Sequence, residues 1–168
     1  MPKKPQPEKH SRPSPPRLEA QAFVSVLRAA DALSREAEAL LKPSGLSGTQ
    51  YNVLRILRGA GPEGLACRDV GCRLISRDPD ITRLLDRMEA RELIRRAREE
   101  KDRRVVKTRI TEEGLRILAA MDRPVEDLHR RQLRRIPSKD LRQLLQLLEK
   151  IGSPTEAPDC EHSVSKSL

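Results

Sequence analysis

Apolar residues recur at helical spacing through most of this chain. Phe23, Val26, Ala30, Leu33, Ala37 and Leu40 share one face of a helix predicted over residues 18–42. The stretch "KPSGLSG" ends it. Next comes "SGTQ", Ser47 to Gln50, which has capping-box form: the Ser hydroxyl meets the backbone N–H three residues on, and Gln reaches back. A second helix then runs to about Arg58 and buries Tyr51, Leu54 and Leu57. "GAGPEG" reads as a loop. A short third helix over about 67–74 offers only Val70 and Leu74 as a stripe, and Ala66 and Cys67 stand where a polar cap is expected.

The stretch "RDPDITRLLDRMEARELIRR" follows. Asp78 suits an N-cap and Pro79 the first helical position, which predicts a helix over 79–91. Ile81, Leu84, Leu85 and Met88 fall at i, i+3, i+4 and i+7, one buried face; Thr82, Arg83, Asp86 and Arg87 share the opposite one. "LIRRAREE" and "RVVKTRI" are β-prone runs around "EEKDRR", a hairpin with a charged tip. Thr111 of "TEEG" caps a long helix with Leu115, Leu118, Met121, Val125 and Leu128 on its apolar side. Pro124 is expected to bend that helix or end its first part. A last helix over about 138–151 carries Leu141, Leu144, Leu145, Leu148 and Ile151. Short helices followed by a hairpin predict a mainly α fold with a small β-hairpin wing, a winged helix-turn-helix.

Composition adds two tails and a direction for the charge. Residues 1–17, rich in Pro, Lys and Arg, and residues 152–168 cannot bury a core and are expected to be disordered. The ordered domain is then 18–151. The net charge is +9, and within the domain it concentrates in residues 67–110, with fourteen basic and nine acidic side chains. Such a surplus points to a polyanion, nucleic acid before an anionic membrane; solubility charge is the bland alternative. No apolar run approaches the roughly 18 residues of a membrane span, and no hydrophobic segment follows the N-terminal lysines. A cytoplasmic protein without a membrane partner is expected.

Three cysteines make no disulfide framework, and His10, His129 and His162 match no metal-ligand spacing. With no nucleophile–base pair, metal cluster or Gly-rich phosphate loop, the chain is not read as an enzyme, and no cofactor is expected.

In a helix-turn-helix the second helix of the pair enters the major groove, here 79–91 with Arg77 just ahead of it. Arg83 and Arg87 can each donate two hydrogen bonds to a guanine, and Thr82 can meet a thymine methyl or a phosphate. The alternative is that these arginines pair with Asp80 and Asp86 on a solvated face. At the hairpin tip, Lys101, Arg103 and Arg104 could reach an adjacent minor groove, with Asp102 as a brace that fixes the wing.

"LSGTQYNVLRIL", "PDITRLLDRMEARELIRR" and "DRRVVKTRITEEG", in this order and spacing, resemble the MarR family of bacterial winged-helix transcriptional regulators across about 18–151. The resemblance implies a homodimer joined through 18–42 and 111–151. Two winged helices, 47–110, would then address half-sites of a pseudo-palindromic operator in double-stranded DNA. It assigns Thr82, Arg83 and Arg87 to the recognition helix and Arg103 and Arg104 to the wing, with Asp102 at the family's acidic wing position. The wide Leu stripes of the terminal helices support a dimer on their own, since so small a domain does not bury them all.

Three positions depart from the family pattern: Glu92 where a Gly is frequent, Pro124 within the long helix, and Ala66 as a cap. Members are often released from DNA by a small, frequently aromatic or phenolic, anion. Tyr51 and Arg55 are the pocket neighbours that this implies here, the alternative being plain core or surface residues; with Tyr51 and Phe23 the chain's only aromatics, an aromatic-lined pocket is not available. Cys67 and Cys72, beside Arg68 and Arg73, read either as a thiol switch or as inert. The expected function is therefore a dimeric, sequence-specific regulator, a repressor released by a small-molecule effector. The alternative is a winged-helix module whose basic face docks an acidic protein.

Overall fold

The computed structural model describes residues 17–75, 80–99 and 105–152. Six helices and three strands follow in chain order: α1 (Leu18–Leu41), α2 (Gly48–Ala60), β1 (Leu65–Ala66), α3 (Cys67–Arg73), α4 (Ile81–Ala90), β2 (Ile94–Arg98), β3 (Val106–Ile110), α5 (Glu112–Leu133) and α6 (Ser138–Gly152). The chain divides into two compact units. The first, through Leu33, holds the N-terminal part of α1; the second starts at Ser34 and holds everything after it.

The second unit has a winged-helix core. Val53, Leu54 and Leu57 of α2, Val70 of α3, and Leu84, Leu85 and Met88 of α4 are buried in one cluster with Leu41, Leu46, Leu93, Ile94 and Leu118. Each fully buried aliphatic side chain contributes about 1.5–3 kcal/mol. The capping box at the start of α2 forms as predicted: Gln50 N–H donates to Ser47 Oγ at 3.2 Å, and Ser47 N–H donates to Gln50 Oε1 at 3.1 Å. Tyr51, expected inside, is half-buried.

The hairpin pairs Ile94 with Ile110 and Arg98 with Val106, antiparallel. A third strand not foreseen from the sequence, β1, pairs with β3 through Leu65 and Thr108, which gives the order β1-β3-β2. Gly64 permits it: at φ +67°, a Cβ there would lie 2.4 Å from the Thr108 carbonyl oxygen. Two residues carry no periodicity, so the loop reading of "GAGPEG" extended over them.

Two sequence expectations need correction. The recognition-type helix starts at Ile81 rather than 79, because Asp80 caps it by accepting the Arg83 N–H at 3.2 Å; Asp78 and Pro79 lie outside the described residues. Helix α5 runs unbroken through Pro124, so the proline does not end a first part of it. The ring removes one helical hydrogen bond, a cost of about 3 kcal/mol, but Val125 and Leu128 just beyond it are buried and hold the helix. On α6, Leu145, Leu148 and Ile151 of the predicted stripe lie exposed, in line with a domain too small to bury it, and so does Leu115 on α5.

The join from α4 through the wing to α5 is tight. Helix α4 ends with Glu92 at φ +56°. Glu92 N–H donates to Glu89 O at 2.8 Å and Leu93 N–H to Met88 O at 3.0 Å, the paired bonds of a left-handed helix end. That conformation explains why a Gly is expected at this position. The Thr111 hydroxyl then donates to Glu92 O at 2.6 Å and accepts from Gly114 N–H at 3.0 Å, capping α5. A Cβ on Gly114 would stand 2.3 Å from the Leu93 carbonyl oxygen.

Two opposite stability changes follow from this join. Gly114→Ala should lower the free energy of unfolding by about 2–3 kcal/mol, because backbone must move to admit the methyl. Glu92→Gly should raise it by about 0.5–1 kcal/mol by relieving the left-handed residue. Urea unfolding of both variants checks the pair; equal midpoints would contradict the geometry.

Candidate nucleic-acid interface

Helix α4 presents two unlike sides. Leu84, Leu85 and Met88 are buried, while Thr82, Arg83, Asp86 and Arg87 are exposed together. The buried side fixes the rotation of the helix, so the basic side has one direction to face: outward. Arg83 keeps its side chain 82% exposed and makes an ion pair with Asp80 at 3.1 Å. The pairing alternative is thus present for Arg83. A bridge this exposed is worth at most about 1 kcal/mol and does not compete with a bidentate contact. Arg87 makes no ion pair among the described residues.

Asp86 does not pair along its own helix. Its Oδ1 accepts from the Arg96 guanidinium of β2 at 2.5 Å, and the same guanidinium holds Glu89. Glu89 Oε1 also accepts the Arg96 backbone N–H at 2.7 Å, and Oε2 accepts Arg96 Nε at 2.8 Å. Strand β2 is an edge strand, so this carboxylate occupies a backbone donor that the sheet leaves outward. The Arg96 backbone N–H, with help from its guanidinium, holds the Glu89 carboxyl below the usual carboxylate range. Burial opposes the Arg96 charge, but its hydrogen bonds to Glu89 and Asp86 outweigh burial and raise its pKa.

Sequence reasoning passed over this cluster. Asp86 and Glu89 stand at i, i+3 on a helix that feeds directly into a strand bearing Arg96, and that spacing was the available signal. Further along the hairpin, Lys107 pairs with Glu99 at 2.9 Å. Arg95 and Arg98 are exposed and make no ion pair among the described residues. At the other end of α4, Arg91 donates to Gly45 O at 2.7 Å and ties the helix to the turn before α2.

Of the residues singled out in the sequence, Thr82, Arg83 and Arg87 therefore come together on one surface. Arg77, Lys101, Asp102, Arg103 and Arg104 lie outside the described residues.

Tyr51 and Arg55 line a separate cleft of about 310 Å³ with Ser34, Glu38, Leu41, Asn52, Ile75, Val125 and His129. Burial pushes the Tyr51 hydroxyl above its ordinary pKa. One helical turn along, Arg58 grips Asp122 of α5 with two bonds of 2.8 and 2.9 Å. That grip holds the Asp122 carboxyl below its usual range. Cys67 is half-buried with a free thiol, packed against the core cluster. No group of acidic, His and Cys side chains among the described residues could hold a metal ion, and no described helix is long and apolar enough to cross a membrane.

Comparison with known proteins agrees with this architecture. The family model "MarR family" matches residues 46–106, from the turn before α2 to the first residue of β3. A crystal structure of a MarR transcription factor from Planctomyces limnophilus is 36% identical, with 82% of this chain and 99% of that one covered at a TM-score of 0.62. The crystal structure of CouR from Rhodococcus jostii RHA1, bound to p-coumaroyl-CoA, is 29% identical over 84% of this chain and 99% of its own, at 0.71. The HTH-type transcriptional regulator TtmR of Methylorubrum extorquens is 36% identical over 111 residues, 66% of this chain; the match spans 56% of that regulator's length. With a winged helix-turn-helix in place and a relative of this identity matched over nearly its full length, the chain belongs to the MarR family.

Proposed function

We propose that this protein is a homodimeric, sequence-specific DNA-binding transcriptional regulator, acting as a repressor that a small-molecule effector releases. One observation carries the DNA reading: the exposed side of α4, with Thr82, Arg83 and Arg87, is turned outward by a fully buried opposite side. An α-helix fits the major groove, and Arg is its commonest specific reader, through guanine O6 and N7. Exposed Arg95 and Arg98 on β2 supply phosphate or minor-groove contacts; Lys101, Arg103 and Arg104 add further cations by sequence alone, with Asp102 among them, all outside the described residues. Regulator names on the Methylorubrum and Planctomyces relatives favour the same reading, and neither is an enzyme's name.

Exposed apolar residues at both ends of the chain support the dimer. Phe23 (65% exposed) and Leu27 on α1, and Leu145, Leu148 and Ile151 (71%) on α6, are more apolar surface than a solvated helix carries without a partner. A second copy of the chain covers them and brings two copies of α4 to successive turns of a pseudo-palindromic operator. The Tyr51–Arg55 cleft is the effector site: its size suits a small molecule, and Arg55 gives it a cation for an anionic one. CouR, captured with p-coumaroyl-CoA, is the relative that supports a ligand role.

Selection of bound duplexes from a random pool should return an inverted repeat. Against that repeat, Arg83→Ala should lose about 1–3 kcal/mol of discrimination over unrelated duplex at fixed salt. Wild-type affinity should fall steeply as salt rises, because phosphate neutralisation drives it. Unchanged preference in the variant would remove Arg83 from the reading surface. Binding to an acidic protein, with no duplex shifted at low salt, would favour the docking-module alternative. Replacing Leu148 and Ile151 together with Glu should turn the dimer into a monomer in sedimentation equilibrium; a variant that stays dimeric would place the interface elsewhere.

A further inference from the structure

We propose that Arg96 is a positioning residue for DNA reading: from β2 it grips Asp86 and Glu89 together, locking the wing to the recognition helix and neutralising the acid within the basic face. This rests on α4 being the recognition helix. The grip has four arms. Arg96 Nε donates to Glu89 Oε2 at 2.8 Å, its guanidinium reaches Asp86 Oδ1 at 2.5 Å and Glu89 Oε2 at 2.7 Å, and its backbone N–H donates to Glu89 Oε1 at 2.7 Å.

Three features separate this cluster from an ordinary surface bridge. Arg96 is only 23% exposed in its side chain and Glu89 35%, so solvent screens the charges less than on an open face. The two acids belong to a helix and the base to a strand, so the contacts set an angle between two elements. The third feature is position. Asp86 lies beside Arg83 and Arg87, where an uncompensated carboxylate would repel phosphate. With Arg96 on its Oδ1, the outward face keeps its basic character, and the wing holds a fixed offset from the helix. Two DNA-reading elements held rigidly relative to each other discriminate between sites. Two that are loosely joined accept many sites with similar affinity.

Electrostatics and positioning make opposite predictions for Glu89→Ala. That variant adds one positive charge near the DNA face, so a purely electrostatic role predicts tighter binding to every duplex. A positioning role predicts that the operator-to-unrelated affinity ratio falls at least tenfold, while unrelated duplex binds as well as before or better. Arg96→Lys, which keeps the charge but loses the fork, should lower the ratio in the same direction. Wild-type ratios in both variants, or parallel gains for both duplexes in Glu89→Ala, overturn the proposal. If Glu89→Ala fails to fold by circular dichroism, Asp86→Ala removes one arm at an exposed site; it should lower the ratio several-fold, and an unchanged ratio counts against the grip. A wild-type protein that prefers no duplex defeats the recognition-helix reading instead. The grip is then judged without DNA: the Arg96 amide should exchange hydrogen at least tenfold faster in Glu89→Ala, and equal rates overturn it.

Discussion

The burial of one side of α4 is the constraint on which the functional surface depends. Leu84, Leu85 and Met88 are 3%, 0% and 0% exposed. Together they contribute on the order of 5–8 kcal/mol at ordinary burial values. Any rotation of the helix that hid Arg83 or Arg87 would lift these three out of the core and leave guanidinium groups without water. No exposed ion pair in the region is strong enough to oppose that. The outward direction of the basic face is therefore a consequence of the core.

From that helix the order propagates forward along the chain. The left-handed end at Glu92 turns Leu93 back into the core, and Leu93 O receives the Thr111 N–H at 3.2 Å. Thr111 caps α5 while its hydroxyl bonds to Glu92 O, and Gly114 lets the first turn of α5 pass close over Leu93. The hairpin is thus anchored at its root by the residues that end α4 and start α5. Arg96 adds a lateral tie from the edge strand. A wing held at root and flank keeps a fixed place on the core even though β2 and β3 are only five residues each.

Much of this was legible in the sequence, and the reason is periodicity. The stripes of α2, α4 and α5, the capping box at Ser47 and the Thr111 cap are all local signals, and local signals survive without coordinates. The illegible parts are those where distant segments meet. Strand β1 is defined by its pairing with Thr108, forty-odd positions away, and two residues show no alternation of their own. Asp80, two positions after the aspartate that the sequence favoured, caps the helix, because two aspartates so close are chemically equivalent and only backbone geometry chooses between them. Pro124 does not end α5 for a different reason: the rule prices the lost hydrogen bond but not the buried Val125 and Leu128 that offset it. Arg96 was read as one more basic residue in a β-prone run, since its acidic partners lie on another element.

The charge distribution looks different once pairing is known. Fourteen basic side chains in residues 67–110 suggest a uniformly cationic face. Within the described residues, Arg96 is committed to Asp86 and Glu89, Lys107 to Glu99, Arg91 to Gly45 O and Arg109 to Pro62 O. Those cations hold structure together. Arg87, Arg95 and Arg98 make no ion pair among the described residues, and Arg83 gives up only an exposed one. Asp86, Glu89 and Glu99 are consumed as braces, which removes their repulsion without neutralising the arginines that face outward. A surface arranged this way carries fewer free positive charges than the sequence count implies, but each has a fixed position. Free charge supplies affinity for any polyanion, whereas fixed position makes the affinity depend on sequence.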